Sequence, residues 1–351
     1  MLPKIPGEPP PDLSKPIEVV RARVHPEIAG QRLDQAMAAL FPWRTRASIQ
    51  RLIRDGRVTL VLGGNAPGSA AGERVEGPRA SRKVFPEDVL VVDVPPRPAV
   101  ERADAVPAEL TILYEDRWLV AIDKPAGLAV HPTSSRLDGT LVNLLHGVYR
   151  DLDDPARDVV PRLCHRLDRE TSGLILVAKD EVAHAAVRRQ FEDHAVTKTY
   201  LAVVEGRVEV DEQWVDLRLG PARRSAVRLK IEAREDGLEA LTRVRVLARG
   251  KELSLVECMP RTGRQHQLRV HLAALGHPIV GDKLYGPDER WFLQGIEGSL
   301  DEEARAALRL PRQALHSASL ELRHPIRGDR IELRCPLAAD LSALLEADGC
   351  A

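Results

Sequence analysis

The chain has 351 residues and a formal net charge of −1, with 44% hydrophobic and 29% charged residues. This balance excludes an intrinsically disordered chain, and a net charge near zero argues against a protein that coats nucleic acid through a bulk positive field. Aromatic residues make up only 3%, which disfavours a single-strand binder built from stacking platforms. The length predicts two domains with tails.

The first segment, residues 1–17, is rich in proline and lacks the apolar core of a secretory signal, so we expect a disordered lead. No apolar stretch approaches the roughly 20 residues that a membrane-spanning helix needs. The cysteines form no CxxC pair, which fits a reducing compartment and predicts a cytoplasmic protein without a zinc ribbon. They are Cys164, Cys258, Cys335 and Cys350.

Residues 18–94 predict a small α/β module. Apolar residues at helical spacing indicate two helices, the second ended by Gly56, and β-branched runs indicate two strands. A long segment between the strands, residues 63–83, is rich in glycine, alanine, serine and charges, and we expect it to be a loop insertion without a core of its own. The predicted helices and strands are 32–40, 45–56, Val58–Leu62 and Asp88–Val94.

The second of these helices has an apolar stripe on one side and basic residues on the other. The stripe consists of Ile49, Leu52 and Ile53. Residues 32–57 hold six arginines against two acidic residues, which leaves a local excess of four positive charges. Three of these arginines project from the side opposite the stripe: Arg46, Arg51 and Arg54.

A proline-rich segment, Pro95–Pro107, is the predicted linker. Residues 108–340 then alternate short strands with helices, which predicts a mixed α+β domain, and we expect 341–351 to be a C-terminal tail. The predicted strands are Leu119–Ile122, Leu174–Ala178, Tyr200–Val204 and Glu252–Glu257, and the predicted helices are Leu141–Val148 and Glu181–Phe191.

The most unusual stretch of this second domain is RLCHRLDRETSGLILVAK, residues 162–179. A charge-dense loop leads into an apolar strand, and loops at the edge of a rigid sheet often carry catalytic groups. Asp168 is the candidate, because its neighbours Arg166 and Arg169 favour an ionised carboxylate that acts as a nucleophile or base. On local spacing alone the alternative stays open that Asp168 caps a turn and pairs with an arginine.

A second stretch, PRTGRQHQLRVH at 260–271, opens a helix with an apolar stripe. Arg269 lies at the margin of this stripe, and an arginine that is partly buried there requires an acidic partner. Together with Arg261 and Arg264 it also suits a phosphate backbone. A solvated basic helix start is the open alternative.

Two other kinds of site are weighed and disfavoured. His266 and His271 are five residues apart and lie on different helical faces, unlike the paired histidines of a zinc helix, so we expect no metal. Asp168 and Glu170 resemble a glycosidase carboxylate pair, but two residues apart in one loop they need not face each other. Tyr200, near the start of a predicted strand, is either a core tyrosine or an active-site aromatic.

The segment HRLDRETSGLILVAK, residues 165–179, resembles the signature of the RluA-type pseudouridine synthases. Further motifs occur in the order of that family over residues 108–336, and the N-terminal RLDQAMAAL and RASIQRLIRDGRV resemble a small ribosomal-protein-like RNA-binding fold. In the N-terminal module the usual short turn is replaced by LVLGGNAPG and the long insertion. The further motifs are KPAGLAVHP (Lys124–Pro132), GTLVN (Gly139–Asn143), KTYLAVVEG (Lys198–Gly206), Arg261–Gly286 and ALHSASL (Ala314–Leu320).

The resemblance implies isomerisation of uridine in RNA to pseudouridine. It implies a largely antiparallel mixed sheet, with Asp168 as the catalytic aspartate and Arg269 as the arginine that pairs with it. Tyr200 matches the aromatic residue that stacks on the base and accepts the carbon-5 proton. Arg166 matches the arginine that fills the space of the extruded nucleotide, and Leu268 matches the apolar residue that lines the pocket.

The resemblance also implies a reaction without cofactor and leaves the target RNA open. Large-subunit ribosomal RNA is favoured over transfer RNA because an added RNA-binding module suits a large folded substrate, and a monomer is expected. Whether the aspartate attacks the ribose, attacks the ring or removes a ribose proton stays open. So do two other interpretations, a non-catalytic RNA-binding or ribosome-assembly factor and a hydrolase using Asp168 and Glu170. The further residues expected to contact RNA are Thr171, Arg264, His165, Arg46, Arg51 and Arg54.

Overall fold

A computed structural model describes residues 19–41, 46–93, 110–132, 138–151, 153–154 and 157–350. The predicted lead at 1–17 and the predicted linker at 95–107 lie outside these ranges. The chain divides into two compact units, the first with residues 1–105 and 131–150 and the second with 106–130 and 151–351. Segment 131–150, which lies within the predicted α+β domain at 108–340, groups with the first unit. None of the described helices is long and apolar enough to cross a membrane.

The first unit contains a four-stranded antiparallel sheet and both predicted helices. These elements are β1 Val19–Arg23, α1 Leu33–Leu40, α2 Arg46–Arg54, β2 Val58–Val61, β3 Arg74–Glu76 and β4 Val89–Asp93. The strand order is β1-β4-β2-β3. The apolar stripes of the helices, including Leu33, Met37 and Ile49, are buried in one core with the sheet. Gly56 adopts a φ of +68°, which explains why the second helix ends there.

The insertion at 63–83 is more ordered than the sequence predicts. It contains the short strand β3, which pairs with β2, and the amides of Leu33 and Asp34 donate to the carbonyls of Arg82 and Ala80. A three-residue strand is too short to show an alternating pattern, which is why the sequence indicates only a loop. The insertion therefore completes the edge of the sheet and holds the start of α1.

The second unit is built on a ten-stranded sheet. Its strands are β5 Thr111–Glu115, β6 Leu119–Lys124, β7 Arg162–Leu163, β8 Ser172–Ala178, β9 Thr197–Glu205, β10 Glu212–Asp216, β13 Leu241–Arg249, β14 Leu253–Pro260, β15 Leu315–Arg323 and β16 Arg330–Arg334. The main path runs β10-β13-β14-β9-β15-β8-β6-β5, with β16 beside β15 and β7 beside β8. Only β15 and β8 pair in parallel among the described strands, so the α+β fold with a mixed, largely antiparallel sheet is confirmed.

A separate two-stranded hairpin and several helices complete the described chain. The hairpin consists of β11 Leu219–Pro221 and β12 Ile231–Ala233. The helices are α3 Leu141–Tyr149, α4 Glu181–Glu192, α5 Gln267–Ala274, α6 Arg290–Glu297, α7 Glu302–Leu308 and α8 Ala339–Asp348.

The predicted C-terminal tail at 341–351 is wrong for residues 341–350. Helix α8 occupies most of this segment, and Leu341, Leu345 and Cys350 are buried in the core of the second unit. The apolar residues recur at helical spacing, so burial against the sheet offsets the entropy of ordering this segment. The folded second unit thus extends to the end of the described chain.

Strand β8 fixes the loop that precedes it. All of its residues are buried, as expected for an apolar run that is covered on both faces. Gly173 has a φ of +102°, and a Cβ there would lie 2.3 Å from the carbonyl oxygen of Ser317, so only glycine permits β8 to approach β15. Next to it, Ser172 Oγ and His316 Nδ1 lie 2.9 Å apart. The loop before β8 therefore emerges from a rigid position in the sheet.

Candidate active site

Asp168 lies in the loop between β7 and β8, and Arg269 on α5 forms an ion pair with it. Arg269 Nη1 donates to Asp168 Oδ2 at 3.1 Å, across 101 residues of sequence. The side chain of Asp168 is 29% exposed, whereas that of Arg269 is only 8% exposed. The Asp168 carbonyl also accepts the Thr171 amide at 3.2 Å, which closes the turn. The carboxylate thus remains reachable from solvent while its cationic partner is buried.

A second carboxylate, Asp282, holds Arg269 in place. Arg269 Nε and Nη2 donate to Asp282 Oδ2 at 2.6 Å and Oδ1 at 2.8 Å, a bidentate contact. Burial disfavours the charged form of Asp282, but the Arg269 charge and these hydrogen bonds outweigh it and hold the pKa of Asp282 below its ordinary value. The amides of Leu284 and Tyr285 also donate to Asp282 Oδ1. Arg269 therefore presents its remaining Nη1 to Asp168 from a fixed position.

Asp282 is a site residue that the sequence alone does not identify. It lies within the Arg261–Gly286 motif, and the requirement that a buried arginine has an acidic partner is the available signal. That requirement points to no particular carboxylate, because only the fold brings residue 282 back to α5.

His266 and Tyr285 form a second layer beside the Asp168 carboxylate. His266 Nδ1 lies 2.8 Å from the Tyr285 hydroxyl, and its Nε2 lies 3.9 Å from Asp168 Oδ2. The Tyr285 hydroxyl also accepts the Ile231 amide at 2.9 Å, which holds it beside the imidazole. Burial, followed by the charge of Arg269, lowers the pKa of His266 to about 4. His266 therefore faces Asp168 as a neutral side chain at neutral pH.

Tyr285 also supports the guanidinium of Arg269. The Arg269 Cζ lies 4.9 Å from the centroid of the Tyr285 ring, within the range of a cation–π contact. His266 adopts a left-handed backbone conformation with φ of 55° at the start of α5, an uncommon choice for a residue other than glycine. The sequence predicts neither residue as part of the site.

Tyr200 lies on β9, opposite Ser317 of β15. Burial, followed by the negative charge of Asp168, raises the pKa of Tyr200 to about 12. The hydroxyl is therefore protonated at neutral pH, and it is close enough to Asp168 to respond to its charge. The structure thus brings together three of the residues singled out in the sequence: Asp168, Arg269 and Tyr200.

The remaining predicted residues of the second unit are dispersed around this centre. Leu268 is buried in the core beside Arg269. Thr171 is also buried, and its Oγ1 accepts a hydrogen bond from Gln313 Nε2 at 2.6 Å. Arg166 is exposed, and its charge contributes to the lowered pKa of His266. Arg264 is anchored by a hydrogen bond from its Nε to the Glu239 carbonyl at 2.9 Å.

His165, which the sequence predicts to contact RNA, is held by contacts within the protein. Its Nε2 accepts the backbone amide of Leu176 at 3.0 Å, and its ring stacks on Phe191 at 5.1 Å between centroids. Burial, followed by the charge of Lys198, lowers the pKa of His165 to about 4. The sequence places His165 three residues before Asp168 but does not show that its ring turns towards the sheet. We therefore assign it a structural role.

The carboxylate pair of a glycosidase does not form in this arrangement. Glu170 accepts two hydrogen bonds from Lys283 Nζ, at 2.8 and 2.9 Å, while Asp168 is bound to Arg269. The two acids are thus held by different cations. Within the described ranges, no group of three or more His, Cys, Asp or Glu side chains is placed to hold a metal ion.

A buried lysine braces the loop that carries Asp168. Lys124 Nζ donates to the carbonyls of Pro125, Leu128 and Arg169 at 2.8 to 3.1 Å. The Gly127 amide donates to the Arg169 carbonyl at 2.9 Å, and Arg169 Nε donates back to the Gly127 carbonyl at 3.1 Å. Burial, followed by the charge of Arg312, lowers the pKa of Lys124 to about 7. The segment after β6 is thus fastened directly beside Asp168.

Comparison with known proteins supports an assignment to the RNA pseudouridine synthases. The family model described as RNA pseudouridylate synthase matches residues 118–274. A ribosomal large subunit pseudouridine synthase D of Zymomonas mobilis is 35% identical over 91% of this chain and 94% of its own length. The corresponding protein of Xylella fastidiosa is 39% identical over 91% and 89%. An uncharacterised RNA pseudouridine synthase of Bacillus subtilis is 34% identical over 91% and 95%.

Solved structures give the same answer for the fold. Human RNA pseudouridylate synthase domain containing 1 is 26% identical, with a TM-score of 0.50, over 71% of this chain and 98% of that chain. Human RNA pseudouridylate synthase domain containing 4 is 29% identical, with a TM-score of 0.50, over 67% and 92%. Matched motifs, fold and relatives agree, and the chain belongs to the RluA-type family of RNA pseudouridine synthases, isomerases that act on RNA.

Proposed function

We propose that this enzyme isomerises uridine in large-subunit ribosomal RNA, with Asp168 as the catalytic residue. The observation that carries the assignment is the Asp168–Arg269–Asp282 arrangement, in which one partly exposed carboxylate meets a buried, fixed cation. The ribosomal target is supported by the names of the relatives from Zymomonas mobilis and Xylella fastidiosa, which match nearly the whole chain. Transfer RNA is the alternative substrate.

The proposed reaction begins with extrusion of the uridine from the RNA. Flipping a nucleotide costs a few kcal/mol of stacking, and Arg166, which is exposed, is proposed to offset part of this cost by occupying the gap. Leu268 and Tyr200 then pack against the base. Burial disfavours the charged form of Arg269, but Asp282 and Asp168 outweigh it and raise the pKa of this guanidinium, so it remains charged throughout.

Tyr200 is proposed as the acceptor of the carbon-5 proton. Its pKa of about 12 means that the hydroxyl is protonated at neutral pH, so it takes up the carbon-5 proton only as its own proton leaves. The carboxylate of Asp168 is free again once carbon-5 is bonded to the ribose. The hydroxyl proton of Tyr200 then passes to that carboxylate or to water while the phenolic oxygen takes the proton from carbon-5.

The N-terminal unit is proposed to add RNA contacts, and residues 1–17 and 95–107 to serve as lead and linker. Arg46, Arg51 and Arg54 are all exposed on α2, which suits a phosphate backbone. We further propose a cytoplasmic monomer that needs neither metal nor cofactor, because the isomerisation involves no redox change and no net hydrolysis. The free, buried thiols of the four cysteines fit a reducing compartment.

The experiment is tritium release from RNA labelled at carbon-5 of uridine, with ribosomal and transfer RNA tested separately in the presence of a chelator. We expect release from large-subunit ribosomal RNA, with pseudouridine and no free uracil among the products. Release only from transfer RNA would overturn the ribosomal assignment, and free uracil would favour a hydrolase. Glu170→Gln serves as the matched variant, because a hydrolase that uses both carboxylates loses activity with it.

A further inference from the structure

The β11–β12 hairpin carries a loop, residues 222–230, that contains none of the groups described around Asp168. The Ala222 amide donates to the Lys230 carbonyl at 2.9 Å, which closes the loop at its base. Val227 is buried, and its amide donates to Ser225 Oγ at 3.0 Å. The loop therefore has a defined conformation of its own, although it lies outside the large sheet.

The base of this loop is connected to the catalytic centre through Tyr285. The Ile231 amide donates to the Tyr285 hydroxyl at 2.9 Å, and that hydroxyl contacts His266, whose Nε2 lies 3.9 Å from Asp168. Gln265, the neighbour of His266, also donates from Nε2 to the Leu229 carbonyl at 3.4 Å. Along this path two side chains separate the base of the loop from the reactive carboxylate.

Two residues of the loop are fastened to one carboxylate, that of Glu289. Ser225 Oγ donates to Glu289 Oε2 at 3.0 Å, and Lys230 Nζ donates to the same oxygen at 2.5 Å. Lys230 Nζ also lies 5.9 Å from the centroid of the Tyr285 ring. These contacts hold the segment between residues 225 and 230 beside the active site.

The arginines of the hairpin fall into two groups. Those outside the loop tip have acidic partners: Arg218 pairs with Glu239, and Arg223 and Arg234 both pair with Asp236. Arg224 and Arg228 are exposed and have no hydrogen-bond or ion-pair partner among the residues that the structure describes. Leu229, next to Arg228, is 58% exposed. The loop thus presents two uncompensated positive charges and an apolar side chain to solvent, and its base is connected to Asp168 through Tyr285 and His266.

We propose that the 222–230 loop is an RNA-contacting element that binds the phosphates flanking the extruded uridine through Arg224 and Arg228. Leu229 packs against the unstacked nucleotide next to it. An arginine without an acidic partner binds phosphate without giving up an existing ion pair, and its planar guanidinium suits bidentate contact. The proposal rests on the proposed action on RNA and adds to it a contact surface in the catalytic unit.

The test measures RNA binding and turnover of the double variant Arg224→Gln, Arg228→Gln. In the Asp168→Asn background, which separates binding from conversion, the Kd for ribosomal RNA is expected to rise by about 10-fold at moderate salt. The slope of log K against log salt is expected to become shallower by about 0.7 to 0.9 for each phosphate that the variant no longer neutralises. In the otherwise wild-type enzyme, the change in KM exceeds the change in kcat.

The matched control is the double variant Arg330→Gln, Arg334→Gln. It removes the same charge from strand β16, where both arginines are exposed and paired with glutamates. The control is expected to retain the wild-type salt slope. The inference is overturned if the loop variant keeps the wild-type Kd and slope, or if the control is weakened in RNA affinity as much as the loop variant. Retained RNA affinity together with impaired binding of an acidic protein would instead indicate a protein partner and also overturn the inference.

The two proposals fail in different ways. If wild type releases no tritium from any RNA, the proposed function is wrong, and the binding comparison in the Asp168→Asn background still decides the role of the loop. If wild type converts ribosomal RNA and the loop variant matches it in KM and salt slope, only the loop inference is wrong. Circular dichroism and thermal unfolding establish that each variant is folded.

Discussion

The proposed catalytic centre and the α2 face of the N-terminal unit use arginine in opposite ways. Arg269 is buried and bound to two carboxylates, whereas Arg46, Arg51 and Arg54 are exposed on a helix whose opposite side is apolar. A buried, paired arginine loses its solvation and gains a fixed geometry, while an exposed one keeps its hydration and remains available to a polyanion. We propose that the first arrangement serves chemistry and the second serves RNA binding. The net charge of the chain, which is near zero, does not show this difference between paired and exposed arginines.

The largest effect is expected from replacing Asp282, the carboxylate that fixes Arg269. We expect Asp282→Asn to lower kcat by about 100-fold with little change in KM, because Arg269 loses its bidentate anchor and shifts relative to Asp168. Single-turnover tritium release measures the effect.

Asp340→Asn is the matched control for that change. Asp340 binds buried Arg312 through two contacts of 2.6 Å, but this pair does not include Asp168. Both variants are expected to lose stability in thermal unfolding, and only Asp282→Asn to lose turnover. Equal turnover in the two variants would show that the anchor has no effect on catalysis.

The proposed role of the exposed arginines in RNA binding is tested on α2. Replacing Arg46, Arg51 and Arg54 together by glutamine is expected to weaken RNA binding by about 10-fold and to make the salt dependence shallower by about 0.9 for each phosphate left without its arginine. Filter binding at several salt concentrations, with the Asp168→Asn protein as the parent, provides the measurement.

Arg23 and Arg74 supply the control for α2, because they belong to the same unit but are paired with Glu87 and Glu76. Replacing these two by glutamine is expected to leave the salt slope of the parent unchanged. An α2 variant that binds RNA as tightly as its parent would remove the N-terminal unit from the RNA interface.

A further expected effect concerns the pH dependence of stability. His165 has a pKa of about 4 in the folded protein, below its ordinary value of 6.5. Between pH 6.5 and pH 4 the unfolded chain therefore binds a proton at this histidine, whereas the folded chain does not. The free energy of unfolding therefore falls as the pH drops from 6.5 to 4, by up to about 1.4 kcal/mol per pH unit for this group. His165→Gln, which keeps an acceptor for the Leu176 amide, is expected to remove that part of the slope.

Urea unfolding between about pH 7 and pH 4.5 measures this change, with exposed His25→Gln as the comparison. If His165→Gln and His25→Gln have the same slope, the partly buried ring of His165 does not contribute to acid sensitivity.

The sequence predicts the parts of the fold that have a strong local pattern. The run Leu174–Ala178 indicates a strand because it is apolar throughout, and β8 is buried along its whole length. The sequence indicates a tail where helix α8 lies, although Leu341 and Leu345 have helical spacing, because a short segment at the end of a chain gives no sign of what covers it. Strands β10 to β13 are not predicted because they are short or mix apolar with charged residues.

The site is predictable in its residue types but not in its connections. The motif around residues 165–179 and the resemblance it carries single out Asp168, and the arginine expected to pair with it does so at 3.1 Å. The sequence does not identify three further residues of the site, Asp282, His266 and Tyr285. Their roles depend on which residues the folded chain brings next to Arg269. The 222–230 loop is not predicted for a similar reason, because the sequence does not show which of its arginines have acidic partners.

The most direct test of the central claim is the turnover of Asp168→Asn at saturating ribosomal RNA, measured as tritium release from carbon-5-labelled uridine. The substitution keeps the shape of the side chain and removes its charge. We expect no detectable release by a protein that unfolds at the wild-type temperature and binds RNA with the wild-type salt slope. Release at a rate close to that of wild type would contradict the assignment of Asp168 as the catalytic residue.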